Sequence, residues 1–438
     1  MKKALCLTAA IIIAALLLIP ATAFAGDTGS SVTGKVTVWA WPSADKAFDS
    51  IMPGFKAKYP GIDVSWEMKP GQAGGTRDAL QAALAAGSGA PDVSLIEVND
   101  IGTFALTDAF VNLLDKPYNA GKYKKDFVGY KWDLALSPDG KLFAFPWDIG
   151  PASIFYRRDL LDKAGVPSDP AKLAKLIRTW DDYIRVGKKV NDPKNQVWWI
   201  DNARGVPYIY YSHKNFFDRK MNVAVDNPTT RRVLAIAQKL RNDGMDAKSS
   251  AWTDEWYTML NQGKIATTIS GCWFGGFLKS WIAKDTGGKW GIIPVPEQPL
   301  QNWGGSFLAV TKQSTNPEGA WKFVEYLCAD AKAQNMIMKT VDYFPALIPA
   351  WKDALYDQPD PFFGGQKTRR LWADIASSQG PFVVTPLDAV AESAFNVELD
   401  KFLDQNLDIP GTVKAMVDAI DTKTQADRKV VLHLMGNN

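Results

Sequence analysis

Apolar positions in the first hundred residues recur with two alternating periods. "KVTVWAW" from Lys35 is a β-branched and aromatic run, which predicts a strand. "ADKAFDSIMPGFKAKYP" then spaces Phe48, Ile51 and Phe55 along one helical face and stops at Pro60 and Gly61. "IDVSWEM" predicts a second strand. "TRDALQAALAAG" predicts a helix with Thr76 as its N-cap and Gly87 at its end, and "DVSLIEV" a third strand. Strand–helix–strand–helix–strand at this spacing predicts a parallel, doubly wound α/β sheet.

Residues 123–130 carry helical spacing, and "KLFAFPW" predicts another strand. Pro146, Gly150 and Pro151 then interrupt the chain. "SIFYRRDLLDKAG" begins a new strand and a helix that ends at Gly165. Helices follow at "TWDDYIRVGKKV", capped by Thr179, and at "NPTTRRVLAIAQKLRNDG", with Asn227 as cap and Pro228 in the first turn. "WTDEWYTMLNQG" is a further helix, "KIATTIS" a strand and "GCWFGGF" a glycine-rich turn. "KWGIIPVP" and "SFLAV" are strands, and "NPEGAWKFVEYLCAD" is a helix capped by Asn316. The tail is helical over 387–407 and 412–429. Stretches rich in Pro and Gly at 146–151, 294–305 and 343–349 divide the chain into two α/β blocks. Three such joints imply that the chain passes between the blocks more than once.

The N-terminus modifies this picture. Lys2 and Lys3, the apolar run Ala4–Ile19 and Ala23-Phe24-Ala25 form an export signal, cleaved after Ala25. The apolar run is short of the ~20 residues a spanning helix needs, and no later segment is apolar enough to span. Cys272 and Cys328 remain after cleavage, and two thiols in a large domain are expected buried and unpaired. A formal charge of +3 over 438 residues implies neither a nucleic-acid partner nor an acidic tail. With only His213 and His433, a histidine-rich metal site or a Ser-His-Asp triad is hard to assemble. There is no phosphate-binding loop: "AGSGAPD" is followed by a strand, not a helix. No catalysis and no cofactor are expected.

The chemistry concentrates at strand ends, where open α/β sheets bind ligands. Trp41 ends the first strand, Glu97–Asp100 end the third, and Trp147 and Asp148 end the strand before the first joint. Trp273 follows "KIATTIS", and Trp303 precedes Gly304, Gly305 and Ser306. The chain holds 17 Trp, so much of this aromatic content must be core. Four at strand ends or glycine turns nevertheless suit neutral polyhydroxylated rings, whose C–H faces stack while their hydroxyls bond carboxylates and amides.

"AALAAGSGAPDV", "FAFPWDIGPASIFYRRDLLDKAGV", "TWDDY", "GKIATTISGCW", "KWGIIPVPE", "GGSFLAVTKQSTNPEGAWKFVEYL" and "FPALIPAW", in this order, resemble the family 1 extracellular solute-binding proteins of ABC sugar importers. That group includes maltose-binding protein, and the resemblance runs from about Lys35 to the C-terminus. It implies a two-lobed periplasmic-binding-protein fold with several hinge crossovers. One lobe would take 26–147 and 302–345, the other 148–301 and 346–438. It also implies a carbohydrate ligand, a membrane permease as partner, a monomer and a periplasmic location. Many Gram-positive members carry a lipid-anchoring Cys at the cleavage site; this chain has none, which favours a free protein.

By resemblance Glu97–Asp100 form the loop where a sugar-bonding carboxylate is common, Trp273 faces the ligand, and Gly304-Gly305 mark a crossover. The full candidate set is Trp41, Ser43, Glu97, Asn99, Asp100, Asp148, Trp273, Trp303, Gly304, Gly305 and Tyr343. Asp148 is favoured over Trp147, which can serve as packing beside the hinge. A polyamine would need more carboxylates around the aromatics, and a phosphorylated polyol an arginine at the cleft, for which Arg77, Arg204, Arg369 and Arg370 are available. A secreted glycosidase would need a carboxylate pair at fixed separation.

Overall fold

A computed structural model of the chain describes residues 32–70, 72–212, 216–297, 302–378, 380 and 384–434. The export signal and His213 lie outside the described residues, and His433 falls near the end of the last helix.

Two sheets organise the molecule. The first contains β1 (Gly34–Ala40), β2 (Ile62–Met68), β3 (Val93–Glu97), β4 (Phe145–Pro146) and the later β10 (Ser306–Val310), in the order β2-β1-β3-β10-β4. β1 runs parallel to β2 and β3, but β10 is antiparallel to both β3 and β4. The sheet is therefore mixed rather than purely parallel. β10 enters it on the way back from the second block and so runs against the strands laid down first.

The second sheet contains β6 (Ala152–Arg157), β7 (Trp198–Ile200), β8 (Ile265–Gly271) and β9 (Trp290–Pro294), in the order β7-β8-β6-β9. β5 (Asp148–Ile149) and β11 (Phe344–Pro345) form a two-stranded ribbon between the sheets. β6 is buried at every position, which is why "SIFY" reads as an unbroken apolar run rather than an alternation.

Most helix signals act where the pattern puts them. Thr179 accepts from the Asp182 N–H while the Asp182 carboxylate accepts from the Thr179 N–H, a complete capping box. Asn227 and Asn316 cap the helices Pro228–Asn242 and Pro317–Ala329, each with proline in the first turn. Two readings need correction. The second helix spans Gln72–Ala85, so Thr76 is a buried interior residue and not a cap. Gly74 and Gly75 lie inside it, and glycine is needed at 75 because a Cβ there would strike the Pro70 carbonyl. "GCWFGGF" is likewise helical, over Trp273–Phe277. Gly276 is there for close approach, since a Cβ would meet the Val341 carbonyl carbon at 2.9 Å.

Smaller differences follow the same logic of short segments. Residues 123–130 divide between a 3-10 turn (Ala120–Asp126) and the helix Gly129–Leu134. Only Phe145–Pro146 of "KLFAFPW" pair as a strand in the first sheet.

Two apolar cores result. One packs Val36, Val38, Phe48, Leu95 and Phe307 around the first sheet and continues through Phe344, Tyr356 and Trp372. The other gathers Ile154, Tyr183 and Trp199 with Phe395, Phe402 and Met416 from the C-terminal helices Asp388–Gln405 and Ile409–Leu434. Six tryptophans (Trp132, Trp147, Trp199, Trp290, Trp321 and Trp372) are fully buried in these cores. Cys272 and Cys328 are buried and unpaired. Among the described residues no helix is long and apolar enough to cross a membrane.

Candidate ligand-binding site

The three segments that pass between the sheets are bonded to one another. The Gly150 N–H donates to Asn302 Oδ1 at 2.9 Å, and the Trp303 N–H returns to the Gly150 carbonyl at 2.7 Å. The Ala346 N–H donates to the Trp147 carbonyl, and the Trp147 N–H to the Ser306 carbonyl, each at 3.0 Å. Glycine is required at 150, where a Cβ would lie 2.7 Å from the Trp303 carbonyl carbon. Gly304 (φ +89°) and Gly305 (φ +101°) take backbone conformations that disfavour other residues.

Over this floor lies a cavity of about 170 Å³. Eight of the sequence candidates line it: Trp41, Glu97, Asp148, Trp273, Trp303, Gly304, Gly305 and Tyr343. Trp41 follows β1 and Glu97 ends β3, while Trp273 follows β8, so the carboxyl ends of strands from both sheets converge here.

Ser43, Asn99 and Asp100 do not line this cavity; they stand one layer behind. The Ser43 hydroxyl bonds the Tyr343 hydroxyl at 2.9 Å, and the Asn99 N–H donates to Glu97 Oε2 at 2.8 Å. Asp100 is buried, with Arg77 Nη1 3.2 Å from its carboxylate. Trp147 is fully buried, stacked on Phe48 at 5.9 Å and edge-on to Tyr343 at 5.5 Å.

Asp148 Oδ1 accepts from both the N–H and the hydroxyl of Ser306. Asp148 is also part of the cavity wall. Burial raises the Asp148 pKa against the opposing pull of Lys131 and of Ser306. Lys131 is itself buried, with Nζ 3.7 Å from the Phe307 ring centroid and without a hydrogen-bond partner. Burial pushes its pKa down to about 7, while the charges of Asp148 and Glu97 act the other way. Burial also pushes the Tyr343 phenol up to about 12, so it serves as a neutral hydroxyl.

Aromatic rings supply much of the rest of the lining. Trp273 donates its indole N–H to the Trp303 carbonyl at 2.8 Å. Trp252 stacks on Trp273 with centroids 5.7 Å apart, and Trp303 stands perpendicular to Trp273 at 6.5 Å. Ala73, Trp252 and Phe277 line the cavity without having been picked out in the sequence, and Ser306, which the sequence marks only as the end of the Gly304-Gly305 turn, lines it too. In the sequence Trp252 is one aromatic of "AWTDEW", with no sign of its exposure. It precedes the N-cap Thr253, outside the helix's buried face, and takes φ +69° with 45% of its surface exposed. A large aromatic held outside a helix cap in a strained conformation is a reason to suspect function.

A second chamber of about 330 Å³ shares Trp252 and Trp303 with the first. Asp201, Asn202, Arg204, Tyr208 and Ser249 supply its polar groups. The Asp201 carboxylate accepts from the Trp256 indole at 3.0 Å, the Thr268 hydroxyl at 2.7 Å and the Asn202 N–H at 2.9 Å. Arg204 is paired with Asp400 at 3.0 Å. Of the other candidate arginines, Arg77 pairs with Asp78 as well as Asp100, Arg369 with Asp342, and Arg370 with Asp357. Among the described residues no group of three His, Cys, Asp or Glu side chains is arranged to hold a metal ion.

The family model for bacterial extracellular solute-binding proteins matches residues 51–356. The chain belongs to that family. This solute-binding protein is 27% identical over 413 residues to the lactose-binding protein of Rhizobium radiobacter, covering 88% of this chain and 90% of that one. It is 25% identical over 338 residues to the arabinooligosaccharide-binding protein of Bacillus subtilis, covering 74% and 76%. Its fold matches an ABC-transporter-associated binding protein from B. animalis subsp. lactis, solved in complex with β-1,6-galactobiose. The TM-score is 0.74 at 25% identity, over 90% of this chain and 98% of that chain. A solved extracellular solute-binding protein of family 1 superposes with TM-score 0.76 at 24% identity, over 89% and 99%.

Proposed function

We propose that the protein captures a sugar or small oligosaccharide between two lobes and delivers it to the membrane permease of an ABC importer. The observation that carries this reading is the combination of groups around one cavity: the carboxylates of Glu97 and Asp148 with the indoles of Trp252, Trp273 and Trp303. Carboxylate oxygens accept hydroxyl hydrogens, and indole planes stack on C–H faces. The second chamber behind Trp252 and Trp303 gives room for more than one ring.

The lobes are taken as 26–147 with 302–345, and 148–301 with 346–438, joined by the three bonded crossovers. Ligand contacts to both lobes form only when the lobes close, so sugar shifts an open–closed equilibrium and the closed form docks on the permease. The chain works as a monomer in the periplasm after cleavage behind Ala25. A phosphorylated ligand is disfavoured because, among the described residues lining the chambers, the one arginine, Arg204, already faces Asp400.

A thermal-shift screen against mono- and oligosaccharides tests the reading, since a ligand bound by the native state alone raises Tm. At least one sugar is expected to raise Tm by several degrees and to be recovered intact. Release of reducing sugar would instead identify a glycosidase, and no shift with any sugar would sink the proposal.

A further inference from the structure

The aromatic wall does not end at the mouth of the cavity. Helix Trp273–Phe277 runs directly into a π-helical turn, Leu278–Ile282. Trp273, Phe277 and Trp281 follow one another at intervals of four, while Leu278 and Ile282 turn into the core. Four residues of α-helix overshoot a full turn by about 40°. The wider π turn rotates the chain back and so returns Trp281 toward the Trp273 side.

The ring contacts are continuous: Trp273 to Phe277 at 5.6 Å, Phe277 to Trp281 at 5.9 Å, and Trp281 edge-on to Tyr257 at 4.7 Å. Phe277 lines the cavity, whereas Trp281 stands outside it with 47% of its surface exposed. A single exposed tryptophan needs no explanation. An aromatic strip that starts inside a binding cavity and ends in water marks a binding surface. π turns also recur at functional sites.

We propose that this strip is an outer subsite: an oligosaccharide with one end in the cavity lays a further unit along Phe277 and Trp281. The inference rests on the sugar-binding reading above and adds to it a ligand longer than the cavity holds. The occupant is carbohydrate rather than a permease surface because Phe277 belongs to both the cavity wall and the strip.

The test is calorimetric titration of the purified protein and of Trp281→Ala with ladders of arabino-, β-1,6-galacto- and malto-oligosaccharides, from one unit to five. Trp281 is exposed, so the variant is expected to melt with the wild type. In the binding series, wild-type affinity should climb with length. Trp281→Ala should keep the short-sugar affinity and lose about five- to tenfold for the longer members, the scale of one aromatic contact, while Trp281→Phe retains most of the gain. An equal long-to-short ratio in wild type and Trp281→Ala overturns the inference while leaving the sugar reading intact. So does an unchanged affinity at every length combined with lost permease-dependent uptake, which would make the strip a docking surface. Failure of every ladder to bind overturns the sugar reading itself, and the outer subsite with it.

Discussion

Asp148 and Trp252 face the same cavity but are held in opposite ways. Asp148 sits in the hinge floor, buried, with one oxygen fixed by Ser306 and with crossover backbones bonded around it. Trp252 sits on the wall, nearly half exposed, stacked on Trp273 and tilted against Trp256. The floor invests its interactions in position: each crossover fixes the next, and glycine is obligatory where backbones nearly touch. The wall leaves its surface uncommitted, as a stacking platform must. Substitutions should therefore divide, with floor changes costing stability and wall changes costing affinity.

The largest effect is expected at the floor. Gly150→Ala pushes a methyl group against the Trp303 carbonyl and should cost about 3 kcal/mol of unfolding free energy, the upper range for overpacking. Urea denaturation measures this; a loss below about 0.5 kcal/mol would mean that the crossovers are not mutually locked. The next effect belongs to the wall. Trp273→Ala removes a stacking face and the bond to the Trp303 carbonyl, and should weaken sugar binding by about 2–3 kcal/mol, roughly 30- to 150-fold. Unaltered affinity in both Trp273→Ala and Asp148→Ala would sink this assignment of the site.

A third effect, read as a trend with pH, sharpens the floor side. With its folded pKa near 7, below the value in the unfolded chain, Lys131 is less protonated when folded across the interval from about 7 to 10.5. The unfolded chain binds more protons there, so this group's contribution makes stability rise with pH over that window. Lys131→Met removes the effect. Relative to wild type, its Tm should be higher at pH 7 than at pH 9.5, and a difference that does not change with pH would contradict a desolvated Lys131.

How much of this was readable in the chain follows the same division. Strand ends, helix caps at Thr179, Asn227 and Asn316, and the crossover at 146–151 rest on local chemistry, and each carries a short-range signature. The antiparallel return of β10 has none, because its direction is fixed by a partner strand some two hundred residues earlier. "GCWFGGF" reads as a turn because glycines that admit a neighbouring backbone resemble glycines that break a helix. Asp148 could be singled out from its place between Pro146 and Gly150. Its lock to Ser306 and its buried neighbour Lys131 are tertiary facts. Trp252 escaped because one aromatic before an N-cap resembles ordinary packing until its exposure is known.

The central claim, that floor and wall close on one sugar, is tested most directly by a distance between the lobes. Lys56, in the helix after β1 of the first sheet, and Lys194, just before β7 of the second, are exposed, and both native cysteines are buried. Spin labels on Lys56→Cys and Lys194→Cys, read by pulsed electron resonance, report the separation with and without the sugar found in the thermal-shift screen. Closure predicts a shorter, narrower distance distribution at saturating sugar that reverts when the sugar is dialysed away. An unchanged distribution with sugar demonstrably bound would contradict capture between two lobes.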